Sequence, residues 1–419
     1  MEEFQTWLEN NYNPLLSKSP SLSSSSVTTS QETHSPPTLC EDSPSFNSLE
    51  SNASTTQTTP SSCNKNFPIP KVSHFCIVST NTKTPQITCL AVQNNTLYAA
   101  TLKEINVFDL ETLSLLDTFG SGSGLVKSIA FGDKKMIFTA HQDCKIRVWQ
   151  EVTISSSKQK HQLISTLPTL KDRFLNSFLP KNYVQIRRHK QKLWVEHADA
   201  VSGLAANDDV GLLYSVSWDK CFKIWKLSSD MRCLESVKAH SDAVNAIVVN
   251  PFDGTIYTGS ADGDIKIWTS TTEERKRHKL LTALTKHDSS VNALALSKDG
   301  SVLFSGGGDG VILVWERDGN NNENNDFFVG CSLKGHKGAI LCLVYVNGVV
   351  ISGSSDRTVR IWKYGKDYGG WCNLAILEGH CKPVKSLVAI PGDDSFSVFS
   401  GSLDGEIRAW KVIISHDSD

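Results

Sequence analysis

The chain has 419 residues, 39% of them hydrophobic, and a formal net charge of −2. That length suits one large domain or two ordinary ones, and the near-neutral charge argues against direct nucleic-acid binding, which needs a basic surface to neutralise phosphates. No run of about 18 apolar residues occurs, so no helical membrane span is expected, and the acidic start MEEFQTWLENN does not read as a secretory signal.

Residues 1–66 differ from the rest. Ser, Thr, Pro and Asn dominate from Ser17 to Asn66, and such a segment cannot bury enough apolar surface to offset its ordering entropy. A disordered tail is expected there. Within it, Phe4, Trp7 and Leu8 fall at i, i+3 and i+4, one face of a nascent docking helix. Ser19, Ser35, Ser43 and Thr59 each precede Pro, and phosphate on them would add negative charge.

From Ile87 onward the chain repeats. The His-to-Trp spacing is 28 in His197–Trp225, His240–Trp268 and His287–Trp315, and 26 and 30 in His336–Trp362 and His380–Trp410. Two degenerate copies precede these, ending at Phe108 and Trp149. Each copy holds short β-branched segments bounded by turn residues, such as Val244–Val249, Thr255–Gly259 and Ile265–Trp268. Val72–Ser79 precedes the first copy and has the length to complete the last one beside Ile407–Val412.

A four-residue constellation recurs: His197, Ser217, Asp219, Trp225; His240, Ser260, Asp262, Trp268; His336, Ser354, Asp356, Trp362; and His380, Ser402, Asp404, Trp410. With the period and the terminal Trp, it resembles the WD40-repeat family over residues 72–415. The resemblance implies an all-β, seven-bladed β-propeller, with repeats ending near 108, 149, 225, 268, 315, 362 and 410, and a hydrogen-bonded chain through each constellation in which Ser bridges the imidazole to the indole. These are also the side chains of a hydrolase triad, but a catalytic set appears once and this one appears four times. A structural role and no catalytic residues are expected. Gly307 replaces Ser in one copy and His141 in another, so those chains should be incomplete.

The eleven cysteines are odd in number and lack CxxC spacing. Small buried thiols in a reducing compartment are expected, with no metal site and no cofactor. The chain should therefore work in the cytoplasm, the nucleus or both.

Two places look available for binding. In the column before the turn Asp, Trp218 is the one large aromatic, and Asp199 and Asp242 set charge near the same rim; an exposed Trp on a concave face suits a binding hot spot. The second is a basic insertion at 150–191, where the Trp149–Trp225 spacing grows to 76. It carries Arg187, Arg188 and Lys190 in the run RRHKQK, and Leu170, Phe174, Leu175, Phe178 and Leu179 at near-helical spacing, which predicts an amphipathic helix packed on the blade.

The stretch NYVQIRRHKQKLWVEHADA (Asn182–Ala200), with YSVSW from Tyr214 and CLESVKAH from Cys233, is similar to the plant WD40 subfamily named for JINGUBANG. That resemblance implies a Ser-rich tail, a propeller and a regulatory role without catalysis, associated with restraint of pollen germination. The function expected is a protein-interaction scaffold: a monomeric propeller binding other proteins, a transcription regulator among the candidates. The alternative is a substrate receptor of a cullin-type ubiquitin ligase. That class carries a Trp-Asp-x-Arg box, which none of the five terminal tryptophans begins.

Overall fold

Short apolar–polar alternations broken by Gly, Asp and Asn leave the chain little choice but strand. The computed structural model describes residues 71–415, apart from 83–85, 134, 156–157, 189, 229, 271–276, 318–326, 367–368 and 393–394 and the side chains of 81, 153–155, 158–159, 187 and 190. The tail at 1–66, with its docking motif and Ser/Thr-Pro sites, lies outside the described residues.

Thirty strands among the described residues form seven four-stranded antiparallel sheets and one two-stranded hairpin. The innermost strands are Ile87–Gln93, Val126–Gly132, Val201–Asn207, Val244–Val249, Val291–Leu296, Ile340–Val346 and Val384–Pro391. Each packs against the next, and the last packs against the first, so the seven sheets close into a ring. This is a seven-bladed β-propeller. A single sheet cannot bury both its faces, and the core lies between blades. Tyr257, Ile265 and Ile267 of blade 4, for instance, pack with Val291, Leu303 and Trp315 of blade 5.

Closure is made by the two ends of the propeller. Strand Lys71–Asn81 pairs with Glu406–Ser415, with Val72 opposite Ile414 and Ser79 opposite Arg408, and supplies the outer strand of blade 7. The segment Val72–Ser79, picked out by its length, sits within this strand. The pairing covers the open edge of the last sheet.

The blades approach one another closely along their second strands. A Cβ on Gly306 would lie 2.4 Å from Ile340 Cγ2, and one on Gly259 would lie 2.6 Å from Val291 Cγ1. Glycine there lets the first inner residue of the following blade press against the backbone.

The extra chain begins later than the Trp spacing suggests. Ile146–Ser155 and Lys158–Leu167 are the long third and outer strands of blade 2, paired from Ile146–Leu167 down to Ser155–Lys158. What is inserted is 168–193: a helix over Leu170–Ser177, a 3-10 turn over Pro180–Asn182, and the hairpin Tyr183–Arg187/Lys190–Leu193. Eight described cysteines are free thiols; Cys372 is disulfide-bonded, against the expectation of unpaired thiols.

Overpacking the blade interface should be costly. Gly306→Val is expected to destabilise by roughly 1–3 kcal/mol, read as a lowered urea midpoint. An unchanged midpoint would show that blades 5 and 6 have slack at Ile340.

Candidate functional site

The recurring His, Asp and Trp side chains meet, but through a hydroxyl the sequence reading did not choose. Trp225 Nε1 donates to Ser215 Oγ at 2.9 Å, and Ser215 Oγ lies 2.8 Å from His197 Nε2. His197 Nδ1 faces Asp219 at 2.9 Å. A carboxylate only accepts, so Nδ1 carries the proton and Ser215 donates to Nε2. Thr258, Ser352 and Ser400 hold the same place in blades 4, 6 and 7.

Ser217, Ser260, Ser354 and Ser402 are therefore not the bridges. They stand two residues further along the same face of the strand, at the rim, and fasten the turn instead. Ser354 Oγ donates to Gly338 O at 3.0 Å and accepts from Asp356 N at 3.1 Å. The signal for the true bridge was present: Ser or Thr recurs two positions earlier in every copy that has the terminal Trp.

This explains the two copies expected to be broken. In blade 5, where Gly307 replaces the rim Ser, Ser305 still joins His287 Nε2 (2.7 Å) to Trp315 Nε1 (2.8 Å). Ser289 Oγ accepts from Asp309 N in place of the missing hydroxyl. The remaining defect is that His287 Nδ1 lies 3.8 Å from Asp309, too far for a hydrogen bond. In blade 2, His141 reaches back from the rim column to Thr139 at 2.7 Å, and Thr139 accepts from Trp149 at 2.8 Å. His141 thus replaces the absent leading His, and Asp143, left without an imidazole, takes Arg147 instead.

The protonation states follow from burial and pairing. Burial lowers the pKa of His197, His240, His336 and His380, outweighing the Asp that each faces; burial and Arg147 take His141 down to about 4. Burial opposes ionisation of Asp219, but His197 and the Ala198 N–H hold it at about 2. These five imidazoles are neutral and the turn Asp residues ionised at neutral pH.

The matching family model is the WD domain, G-beta repeat, at residues 189–226, 231–269, 278–316, 328–363 and 371–411. The chain carries WD40 repeats. From the second match onward, each begins at the outer strand of one blade and ends within the third strand of the next. That offset of one strand is why blade 7 needs Lys71–Asn81. The matches cover blades 3 to 7, and the altered blades 1 and 2 fall outside them. No curated protein matches the chain.

On the rim of the WD40 propeller, Trp218 is half-buried, and Lys127 Nζ lies 3.8 Å from the centroid of its ring. Lys127 is the extra residue of a β-bulge at the start of the inner strand of blade 2, and bulges re-aim side chains. Burial, then Lys385, lowers its pKa to about 7, against the pull of Asp199. Lys385 occupies the corresponding bulge in blade 7. Nothing in the repeat pattern signals this pair, because only the ring brings blades 7 and 2 near each other. Asp199 and Asp242 are exposed, and their carboxylates accept from Ala200 N and Ala243 N.

His380, Asp404 and Glu406 bring three potential metal-ligand atoms within 4.8 Å. His380 faces Asp404 as its counterparts do in sister blades, and Glu406 is held by Arg408 at 3.0 Å. The architecture accounts for the cluster.

The insertion helix reverses the expectation placed on it. Leu170, Phe174 and Phe178 are 82%, 63% and 63% exposed, and Leu175 and Leu179 are also exposed. The buried residue is Asp172, whose carboxylate accepts from Cys233 N at 3.0 Å and from Asn176 Nδ2 at 3.1 Å. Polar anchors thus hold the helix to blade 3 and turn its apolar stripe outward. Arg188 is exposed; the side chains of Arg187 and Lys190 lie outside the described residues, though the two backbones pair.

Removing the bridging hydroxyl should cost more than removing the rim one. Ser352→Ala strands His336 Nε2 and Trp362 Nε1 in the core, a loss of about 1–3 kcal/mol; Ser354→Ala should lose less, because its partners sit nearer solvent. Equal urea midpoints for the two variants would refute the assignment.

Acid should destabilise the propeller in two stages. Lowered His pKa values mean that the unfolded chain takes up protons first, so their contribution is complete above pH ~6.5 and is lost as pH falls towards the folded values. Each imidazole adds a slope of up to about 1.4 kcal/mol per pH unit in that window. The lowered Asp values add a second loss below pH ~4. A urea midpoint unchanged between pH 7.5 and 5.5 would contradict this.

Proposed function

We propose that this WD40 propeller is a non-enzymatic scaffold that binds partner proteins within a regulatory complex, in the cytoplasm or the nucleus. WD40 propellers fit such a role, and the recurring His, Ser and Asp side chains are engaged in building the blades. The observation that carries the reading is Trp218: a half-buried indole on the rim, with a lysine over one ring, and with its backbone N–H donating at 3.0 Å to the carbonyl of Ala200, the neighbour of exposed Asp199. An aromatic with a preset orientation among charges is the kind of anchor that dominates interface energetics.

A finer reading is a plant regulator of the JINGUBANG-like kind, restraining pollen germination. It is supported by the resemblance of the stretch Asn182–Ala200, whose Trp194 Nε1 donates to Asn176 Oδ1 of the insertion helix at 2.9 Å and whose Lys192 Nζ donates to His197 O at 3.0 Å.

The test is to recover the full chain from its native tissue as wild type and as Trp218→Ala, after confirming equal melting temperatures. A partner lost from the variant supports the rim as the binding face. An unchanged partner set makes Trp218 ordinary packing and removes the support for this reading.

A further inference from the structure

Isolated exposed apolar side chains are ordinary, but a contiguous set is not. The insertion presents one. Beside the helix stripe, hairpin residues Val184 and Ile186 are exposed, as are Leu163 and Ile164 on the outer strand of blade 2. Phe174 and Phe178 meet edge to face, with centroids 4.7 Å apart, so the stripe is ordered without a partner to cover it. Leu163, Ile164 and Leu170 also line a cleft of about 660 Å³ whose rim carries Lys145, Lys171, Arg173 and Lys192.

With Arg173 cancelled by Glu196, the charge at the cleft leans positive through Lys145, Lys171 and Lys192. Lys171, Lys181 and Arg188 are exposed. The acids nearby are committed: Asp172 is buried in backbone and amide bonds, Asp143 holds Arg147, and Glu196 pairs with Arg173 at 3.1 Å. A chain of net charge −2 has thus concentrated cations around an apolar cleft.

We propose that this insertion is a docking surface for an acidic amphipathic helix of a partner protein, its apolar ridge seated in the cleft between the insertion helix and blade 2 and its carboxylates facing the basic rim. Concavity favours such a ridge over a bilayer, which would meet only the outermost side chains. The inference rests on the scaffold reading, but the lining of this cleft does not include Trp218, Lys127 or Lys385.

The test is selection of random helical 16-residue peptides on the full chain, followed by titration of the recovered peptides. Enriched peptides should be net acidic, with apolar residues at i, i+3, i+4 and i+7. Their affinity should fall at least tenfold on Leu163→Ser/Leu170→Ser and severalfold on Lys145→Glu/Lys171→Glu, with melting temperatures unchanged because all four side chains line the cleft and are exposed. Neutral or basic peptides, or affinities indifferent to these variants, would overturn the proposal. So would Leu170-dependent flotation with phosphatidylserine vesicles, Leu170-dependent dimerisation, or a gain in peptide affinity on Trp7→Ser; these assign the face to lipid, to a second copy or to the chain's own N-terminus. Retention of the Trp218-dependent partner in Leu163→Ser/Leu170→Ser would leave the scaffold reading standing even if this one fails.

Discussion

One buried hydroxyl organises each of six blades. Thr139, Ser215, Thr258, Ser305, Ser352 and Ser400 each accept from an indole N–H and lie within hydrogen-bond distance of an imidazole. In blades 3, 4, 6 and 7 the imidazole then faces the turn Asp, so the second and third strands of a blade are tied through side chains to the loop that leads into its innermost strand. The interior magnifies both sides of this arrangement: satisfied, the groups specify one packing; unsatisfied, each costs a desolvation penalty. That asymmetry accounts for the repairs. Where the leading His is absent, His141 comes from another column to meet the same hydroxyl, and where the rim Ser is absent, Ser289 takes over its acceptor role.

The same network engages the His, Ser and Asp side chains. In blades 3, 4, 6 and 7 the imidazoles are neutral, the carboxylates ionised, and each pair is bonded within the blade. What remains for recognition is whatever departs from the repeat. Trp218 departs by size, Lys127 and Lys385 by charge at a bulge, and 168–193 by being extra chain. The last is the largest departure. A helix held by Asp172 and Asn176 exposes the apolar stripe that a self-contained fold would bury.

The repeat pattern was legible because it is local. His-to-Trp spacings, turn residues and strand-length apolar runs are properties of neighbours in sequence, and they determined seven units, an all-β class and a closing strand near Val72. The bridging hydroxyl was misassigned by two residues because alternation places both serines of Gly-Ser-type strand ends on one face, and sequence gives no depth along that face. The insertion was placed too early because the long third and outer strands of blade 2 read as excess when only Trp spacing is counted.

Sequence by itself determined the blades, their number and the His, Asp and Trp that recur in them, since those depend on periodicity and on short-range turn chemistry. Only the tertiary structure decided which hydroxyl each imidazole reaches, which lysines of distant blades come near each other, and which way the insertion helix faces. Amphipathicity shows that a helix has two faces; whether the apolar one turns inward depends on what the polar one can bond. Here the N–H of Cys233, 61 residues from Asp172 in the chain, took the polar face and left the apolar one to solvent.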